Sequence, residues 1–553
     1  MKRLALACGI ILLILFFCTA LYWRLPSTTK ITLRPLPTTE ALLLLPLDSR
    51  PVCSELPQQL GALAGIEVIL PSKELLDNYQ IPADRKKLYF WLKNNLPGRQ
   101  KAIISADLLI HGGLLHSRLP LGKQEDYQYF LNFIEKLQQD QPQAQLNSFV
   151  IVPRLLVSDQ LLPDRWYQWH LRRYAELRDL LDEFSSPTLV QEMEEIAAQI
   201  PPKILAKYLQ RYVENDNFNQ HFLQSSSASH FTLIGQDDGA SFGLPNRNMR
   251  QAKVYSRQLP QTALTYGADE IAALLVARSY LKQNRYLPKI YLHYARPELK
   301  SMYMPFMPAS NEATLQDKIQ LLGGQQVADP QQADILLYIS CGYENYHPGL
   351  AEAEELRRLL TTHPHVALLD LSANFSVEEL LVPQLLRAGV PLQQLSAYAG
   401  WNTFSNSAGT VLAQATIFAG QCQRLTSAEL PQLYAANLDF TLNRLADDFL
   451  YQKLCHAPLR KTIAKHGYNP DYLENWGLGY GQGLVQDYLG LGVQLLLHAN
   501  LGRTPFYRQG QKEYYLRQWQ VSPRYPWRRV FEIAVGQNTS YGLRQVSQET
   551  NSH

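Results

Sequence analysis

Two adjacent carboxylates, Asp237 and Asp238, follow an apolar run that begins at Phe231, and Gly239 comes directly after them. Such a run predicts a buried strand of a parallel sheet, and the glycine predicts a turn. Ligands of parallel α/β folds bind at the carboxyl ends of strands, so the two acids are our candidate catalytic residues. The alternative is that Asp237 caps the turn and Asp238 is merely solvated.

Polar side chains follow several other predicted strands in the same way. The run from Ala41 to Leu47, for example, ends in an acid and a base. Because the carboxyl ends of parallel strands meet at one edge, we expect these side chains to converge on one pocket and to bind substrate. The candidate substrate-binding residues are Asp48, Arg50, Asp107, Arg118, Arg154, Asp370, Trp401 and Asn402.

These residue types favour a carbohydrate substrate. Carboxyls supply general acid/base pairs, arginines orient hydroxyl or carboxylate groups, and tryptophan offers a flat face to a sugar ring. In most glycosidases two carboxyls flank the scissile bond, whereas neighbours on a strand point in different directions. A substrate-assisted reaction does not need two carboxyls on opposite sides of the bond. In such a reaction Asp238 would protonate the glycosidic oxygen, while Asp237 orients an acetamido group of the substrate that attacks the anomeric carbon. This site resembles, as an analogy, that of retaining N-acetylglucosaminidases.

Two other functions use the same residues. A non-catalytic glycan- or envelope-binding protein would keep Trp401, Asn402 and the arginines. A metal-dependent phosphoester hydrolase would bind divalent ions through acids at the strand ends. No H-x-H or H-E-x-x-H pattern supports the metal, so we expect neither a metal nor another cofactor. The acids of the metal hypothesis are Asp48, Asp107, Asp237 and Asp370.

The elements that position these residues alternate between strand and helix, which predicts a parallel sheet. Eight or nine strand candidates favour a (β/α)8-like barrel, regular or irregular. The alternative is two successive open Rossmann-like α/β domains divided near Tyr286. Apolar residues at helical spacing predict a helical insertion over 155–230, long enough to cover the site.

The predicted α/β catalytic domain spans 41–425, and a C-terminal helical and β-hairpin region spans 426–535. The Thr- and Pro-rich segment 25–40 is typical of a linker, and 536–553 is a polar tail.

The first 24 residues have the pattern of a signal peptide or an N-terminal membrane anchor. Lys2 and Arg3 precede an apolar run from Leu4 to Trp23, just long enough to span a bilayer. Because the charges before the run are positive, we expect the body to lie outside the cytoplasm, secreted or anchored. An uncleaved segment would make the membrane a partner.

The overall charge argues against nucleic acid as a partner. The formal net charge is only +3 in 553 residues. No stripe of Lys and Arg with interleaved aromatics occurs, although nucleic-acid binding depends on such a basic surface.

Several short motifs together resemble those of a bacterial family known as a domain of unknown function, DUF4127. The resemblance covers nearly the whole body and implies family membership but no particular reaction. The matching stretches are Pro46–Pro51, Asp107 with Gly112, Gly113, Ser117 and Arg118, Gln236–Asp238 with Gly243, Gly267–Glu270, Ala399–Thr403 with Asn406 and Gly409, Asp447–Asp448 with Tyr451 and Gln452, and Pro526–Arg528 with Phe531 and Glu532.

Overall fold

The structure, a computed structural model, describes residues 25–119, 124–157 and 166–546. The predicted signal or anchor segment lies outside these ranges. Within them, no helix combines the length and the apolar character that a bilayer crossing requires.

The described residues contain fifteen strands. They are β1 (Thr29–Ile31), β2 (Glu40–Leu45), β3 (Ile66–Ile69), β4 (Lys101–Ser105), β5 (Gln145–Val152), β6 (His230–Gln236), β7 (Thr262–Tyr266), β8 (Lys289–Tyr294), β9 (Gln325–Gln326), β10 (Ile335–Gly342), β11 (Val366–Ser372), β12 (Ala397–Ala399), β13 (Tyr507–Gln509), β14 (Lys512–Val521) and β15 (Gln537–Gln545).

Helices connect most of these strands. They are α1 (Glu55–Ala64), α2 (Arg85–Asn95), α3 (Ala106–His111), α4 (Leu114–Ser117), α5 (Gln124–Asp140), α6 (Gln168–Glu183), α7 (Pro187–Ala198), α8 (Pro202–Gln224), α9 (Leu244–Ser256), α10 (Ile271–Asn284), α11 (Asn311–Leu322), α12 (Leu350–Thr362), α13 (Val382–Ala388), α14 (Phe404–Arg424), α15 (Leu430–Arg444), α16 (His456–Lys465) and α17 (Asn475–Leu496). π-Helical segments, Leu445–Cys455 and Leu497–Leu501, follow α15 and α17.

The first sheet has six parallel strands in the order β3-β2-β4-β5-β6-β7. Its inner strands are apolar on both faces; Leu42 to Leu45 of β2, for example, are fully buried. The chain leaves β2 first toward β3 and then returns to β4 on the other side. The carboxyl ends of β2 and β4 therefore border the crevice in which open α/β sheets bind ligands.

The second sheet repeats this winding with five parallel strands in the order β12-β11-β10-β8-β9. The two sheets share one hydrophobic core, to which β2, β10, α10 and α14 all contribute buried residues such as Leu42, Leu274, Ile339 and Val411. The helices α10 and α14 pack against each other within it. The two halves of the chain are thus joined by apolar packing.

An α/β fold with parallel sheets is confirmed. The parallel strands of the described residues pair as two open sheets that divide between β7 and β8, near Tyr286, as in the alternative of two open units. A closed ring of strands is not found among them. The reason is local: β7 pairs only with β6, and α10 then carries the chain to β8, whose neighbours are β9 and β10.

The predicted insertion over 155–230 contains α6, α7 and α8. The predicted linker and polar tail differ from expectation, because they supply β1 and β15 to an antiparallel sheet of order β1-β15-β14-β13. Tyr541 of the tail is buried, and its hydroxyl donates a hydrogen bond to Asp439 at 2.5 Å. This one buried side chain attaches the tail to the body although most residues of the tail are polar.

Candidate functional site

A cavity of about 620 Å³ lies at the carboxyl edge of the first sheet. The segments after β2, β4, β5, β6 and β7 line it, together with the loop after β12 of the second sheet and residues from the C-terminal region. The residues that line it include Arg50, Tyr79, Arg118, Arg154, Asp237, Asp238, Asp269, Asn402, Asn406, Trp527, Arg529 and Phe531.

Asp237 and Asp238 both line this cavity, although neighbours on a strand would point apart. Both can do so because β6 ends at Gln236, one residue earlier. Asp237 Oδ2 accepts hydrogen bonds from Arg118 Nε at 2.8 Å and Nη2 at 2.5 Å, and its Oδ1 accepts from the peptide N–H of Asp238 at 2.9 Å. The carboxyl of Asp238 makes no hydrogen bond with any described residue. One acid is thus fixed, and the other faces the cavity.

The two carboxyls differ in acidity. Burial raises the pKa of Asp237, but the positive charges of Arg118 and Arg154 outweigh it, and the net pKa lies below the ordinary value. Burial, and secondly the negative charge of Asp237, raise the pKa of Asp238 to about 7. Near neutral pH, Asp237 is therefore ionised while Asp238 exchanges its proton.

Arg50 holds a second group of acids at the wall. Its guanidinium contacts Asp48 through Nε at 2.9 Å and Nη2 at 2.7 Å, and Asp269 through Nη2 at 2.6 Å. Asp48 is fully buried beneath it, whereas Asp269 lines the cavity. Burial raises the pKa of Asp269 to about 6 despite the opposing charge of Arg50. This bridge ties the loop after β2 to the turn after β7.

The helical insertion supports the arginines beside Asp237. Arg211 of α8 donates from Nη1 to the carbonyl of Arg118 at 3.0 Å. The Tyr212 hydroxyl donates to the carbonyl of Arg154 at 2.9 Å, and the Arg211 guanidinium lies 4.8 Å from the Tyr212 ring centroid. The insertion thus fixes the backbone of both arginines.

Aromatic rings and a fourth arginine form the wall contributed by the C-terminal region. The Arg529 guanidinium lies 4.7 Å from the Trp527 ring centroid and 5.0 Å from those of Tyr79 and Phe531. It is also paired with Glu532 at 2.6 Å. Trp527 donates from Nε1 to the Ser49 hydroxyl at 2.8 Å, which fixes this wall to the loop after β2.

Beneath the cavity, a buried ion pair joins the two halves. Lys318 Nζ lies 2.6 Å from Glu270 Oε1, and both side chains are fully buried. Ser405 Oγ donates to the same Glu270 oxygen at 2.6 Å. Gly267 has φ of +100°, and a Cβ there would overlap Glu270 and Ser405, so this turn requires glycine.

Four of the residues predicted from sequence lie outside the cavity lining. Asp107 accepts the backbone N–H of Ile151 at 2.9 Å, and burial raises its pKa to about 7. Asp370 accepts the N–H groups of Leu381 and Val382 at 2.8 and 2.9 Å in the second unit.

Trp401 is also absent from the lining; only 6% of it is exposed, so its indole face is not available to a ring. Asp48 is likewise covered by Arg50. The remaining predicted residues, Arg50, Arg118, Arg154, Asp237, Asp238 and Asn402, do meet around the cavity.

Among the described residues, one group of potential metal ligands lies together: Asp48, Cys53 and Asp269, all buried. The Arg50 guanidinium lies within this group, with Nη2 at 2.7 Å from Asp48, 2.6 Å from Asp269 and 3.9 Å from the Cys53 sulfur. The donors are thus already satisfied by a protein cation, and the group does not fit a metal while Arg50 holds this position.

Several lining residues were not predicted from the sequence as site residues. Asp269, Trp527 and Phe531 occur only in the motifs that resemble the family. Tyr79 and Asn406 follow no predicted strand. The family-specific motifs were the only signal for Asp269, Asn406 and Trp527; for Tyr79, a single tyrosine in a loop, the sequence contained no signal.

A family model described as "Protein of unknown function (DUF4127)" matches residues 42–536, nearly the whole chain. No curated protein matches the chain.

Proposed function

The chain belongs to the DUF4127 family, whose description states no activity, and we propose from the site that it is a glycoside hydrolase-like enzyme. Its substrate class is a glycan or N-acetylamino-sugar glycoside, cleaved by carboxylate acid/base catalysis.

One observation carries the proposal. Asp237 and Asp238 are neighbours on one cavity wall, yet their surroundings push their pKa values in opposite directions, that of Asp238 to about 7. A pair of carboxyls separated in this way supplies an acid and a negatively charged partner at one pH. The acid that faces the cavity is the one that carries an exchangeable proton near neutrality.

The roles follow from the contacts. Asp238 gives its proton to the glycosidic oxygen as the bond between that oxygen and the anomeric carbon breaks, and the alcohol leaves. The acetamido oxygen of the substrate forms the new bond to that carbon, while Asp237 accepts the acetamido N–H. Arg118 and the peptide N–H of Asp238 hold the Asp237 carboxylate for this task. Water then opens the intermediate and returns a proton to Asp238.

The rest of the lining suits a sugar. Asn402 and Asn406 offer amides to hydroxyl groups, and Phe531, which lines the cavity and is 36% exposed, offers apolar surface. We place the substrate in the cell envelope and the protein outside the cytoplasm, on the strength of the basic and apolar N-terminal sequence. The proposal includes attachment to the membrane through that segment if it is retained.

The test uses two aryl N-acetylhexosaminides, one with a phenyl and one with a 2,4-dinitrophenyl leaving group. The Asp238→Asn variant should lose about 10²- to 10⁴-fold in kcat on the phenyl glycoside. It should lose far less on the dinitrophenyl glycoside, because that leaving group departs without a proton. Asp237→Asn should lose activity on both substrates.

Asp487→Asn, at an exposed position outside the cavity, is the matched control and should behave as wild type. The proposal fails if neither glycoside nor a peptidoglycan fragment is turned over while wild type and both variants bind the fragment equally; the protein would then be a glycan-binding protein. Loss of turnover on adding EDTA would instead favour the metal-dependent hydrolase.

A further inference from the structure

A second cavity, of about 340 Å³, lies at the opposite edge of the first sheet from Asp237 and Asp238. The amino-terminal ends of β4, β5 and β6 form one side of it, and the C-terminal half of α10 forms the other. It is separate from the proposed catalytic cavity, with which it shares no lining residue.

The charged side chains of this lining are all cations: Lys101, Arg278, Lys282 and Arg285. Lys101 is paired with Glu40, which lies outside the lining. The other three make no ion pair with any described residue. The cavity therefore carries an excess of positive charge, in a chain whose formal net charge is only +3.

Arg278 is the least expected of these cations. It is half-buried, with its guanidinium 4.3 Å from the ring centroid of Phe231, and its Nη1 donates to the carbonyl of Leu321. Burial lowers its pKa, and no neighbouring acid opposes that effect. Burying a charge without a counter-charge is unfavourable, so this position calls for an anion.

The helix dipole explains only part of the cluster. Lys282 lies in the last turn of α10 and Arg285 caps it, where cations are favoured. Arg278 lies almost two turns before the helix end, beyond the reach of that effect. Its position is better explained by a ligand in the cavity than by the end of the helix.

We propose that this cavity binds a small oxyanionic ligand, one that carries a phosphate or carboxylate group. Arg278 makes the charged contact, with Lys282 and Arg285 adding to the field. Asn147, Ser229 and Gln261, which also line the cavity, offer hydrogen bonds to uncharged parts of the ligand. The site is independent of the proposed glycosidase activity.

The test is isothermal titration calorimetry of the full-length protein at low salt with pyrophosphate, inorganic phosphate and citrate. Wild type should bind at least one of these probes saturably at one site, and the preferred probe separates a phosphate ligand from a carboxylate ligand. Arg278→Met, which keeps an apolar chain against Phe231, should weaken binding at least about tenfold. Lys136→Gln, an exposed cation on α5, should bind as wild type does.

A second variant, Lys282→Gln with Arg285→Gln, keeps the proposal testable if Arg278→Met does not fold. It should also weaken binding, and added NaCl should reduce the wild-type affinity further. The proposal is overturned if wild type shows no saturable binding of any probe. It is equally overturned if the substituted proteins bind as tightly as Lys136→Gln.

Discussion

Asp238 is a carboxyl whose surroundings favour the neutral form. Its pKa rises from the ordinary 3.8 to about 7, first through burial and then through the charge of Asp237. A group of this kind contributes stability that is fully present below its ordinary pKa and is lost as the pH rises through about 7. The raised pKa on which the proposed proton transfer depends therefore costs stability above neutral pH.

Replacing Asp238 with Asn should therefore separate activity from stability. Asparagine has no proton to lose, so the variant should gain on the order of 2 kcal/mol in unfolding free energy relative to wild type between pH 5 and pH 8. Urea unfolding at both pH values measures this difference. Asp487→Asn should show no such pH dependence, and an equal gap at both pH values for Asp238→Asn would contradict the assignment.

At the residue scale, the sequence predicts the centre of the site better than its walls. Asp237, Asp238, Arg50, Arg118 and Arg154 follow apolar runs, and that signal is visible without coordinates. Trp401 and Asp370 show the same signal but face the interior. An apolar run identifies the end of a strand, but it does not reveal to which side the next residue turns.

At the scale of elements, α8 is an indirect part of the site. Its Tyr212 and Arg211 hold the carbonyls of Arg154 and Arg118, so the insertion sets the positions of the cations beside Asp237. The Arg211 guanidinium in turn lies over the rings of Tyr208 and Tyr212, at 5.2 and 4.8 Å from their centroids. These are positioning residues, because they reach the cavity only through others.

Tyr212→Phe removes the hydroxyl that donates to Arg154 and leaves the ring in place. We expect kcat/KM to fall about tenfold and the upper pKa of the pH–rate profile to shift, because the charge beside the two acids moves. Tyr174→Phe, at another buried tyrosine of the insertion and without a hydrogen bond from its hydroxyl in the described residues, is the control. A loss of thermal stability with an unchanged pH profile would show a merely structural role.

Most strands follow from their apolar runs, since a parallel strand buried on both faces needs one. The sequence does not predict the strand β7, because Thr262 to Tyr266 mixes polar and apolar residues without regular alternation and lies, mostly half-buried, at the edge of the sheet. Asp269, which follows β7, is for the same reason not among the site residues predicted from the sequence.

At the scale of the whole molecule, the pair of Glu270 and Lys318 connects the halves. Glu270 belongs to the turn after β7, and Lys318 to α11 of the second unit. Their contact lies beneath Asp269 and Asn406, which line the cavity from the two units. The cavity therefore forms only when the two halves keep their relative position, which the common hydrophobic core also stabilises.

Lys318→Met should destabilise the protein by about 3–5 kcal/mol, since it leaves a buried carboxylate unpaired. Lys87→Met, which breaks an exposed pair with Asp84, should cost at most about 1 kcal/mol. Chemical denaturation measures both. Adding Glu270→Gln to Lys318→Met should recover part of the loss; no recovery would mean that the two side chains are not coupled.

The arrangement of the sheets was less predictable than their strands. Alternation of strand and helix is the same in a barrel and in two open sheets, because only pairing distinguishes them. The helix α10, which connects the two sheets, has nine buried residues on nearly all of its sides. It packs inside the core that both sheets share, whereas a helix of a barrel would cover one outer face. Periodicity along a single segment does not reveal that choice.

The pairing of β1 with β15 has a mechanical consequence for the N-terminal segment. Thr29 of β1 pairs with Leu543, so the chain is attached to the body six residues after Trp23. Six extended residues reach at most about 21 Å. If that segment anchors the protein in a bilayer, the antiparallel sheet must therefore lie close to the lipid, and the main cavity can move only as far as this short connection allows.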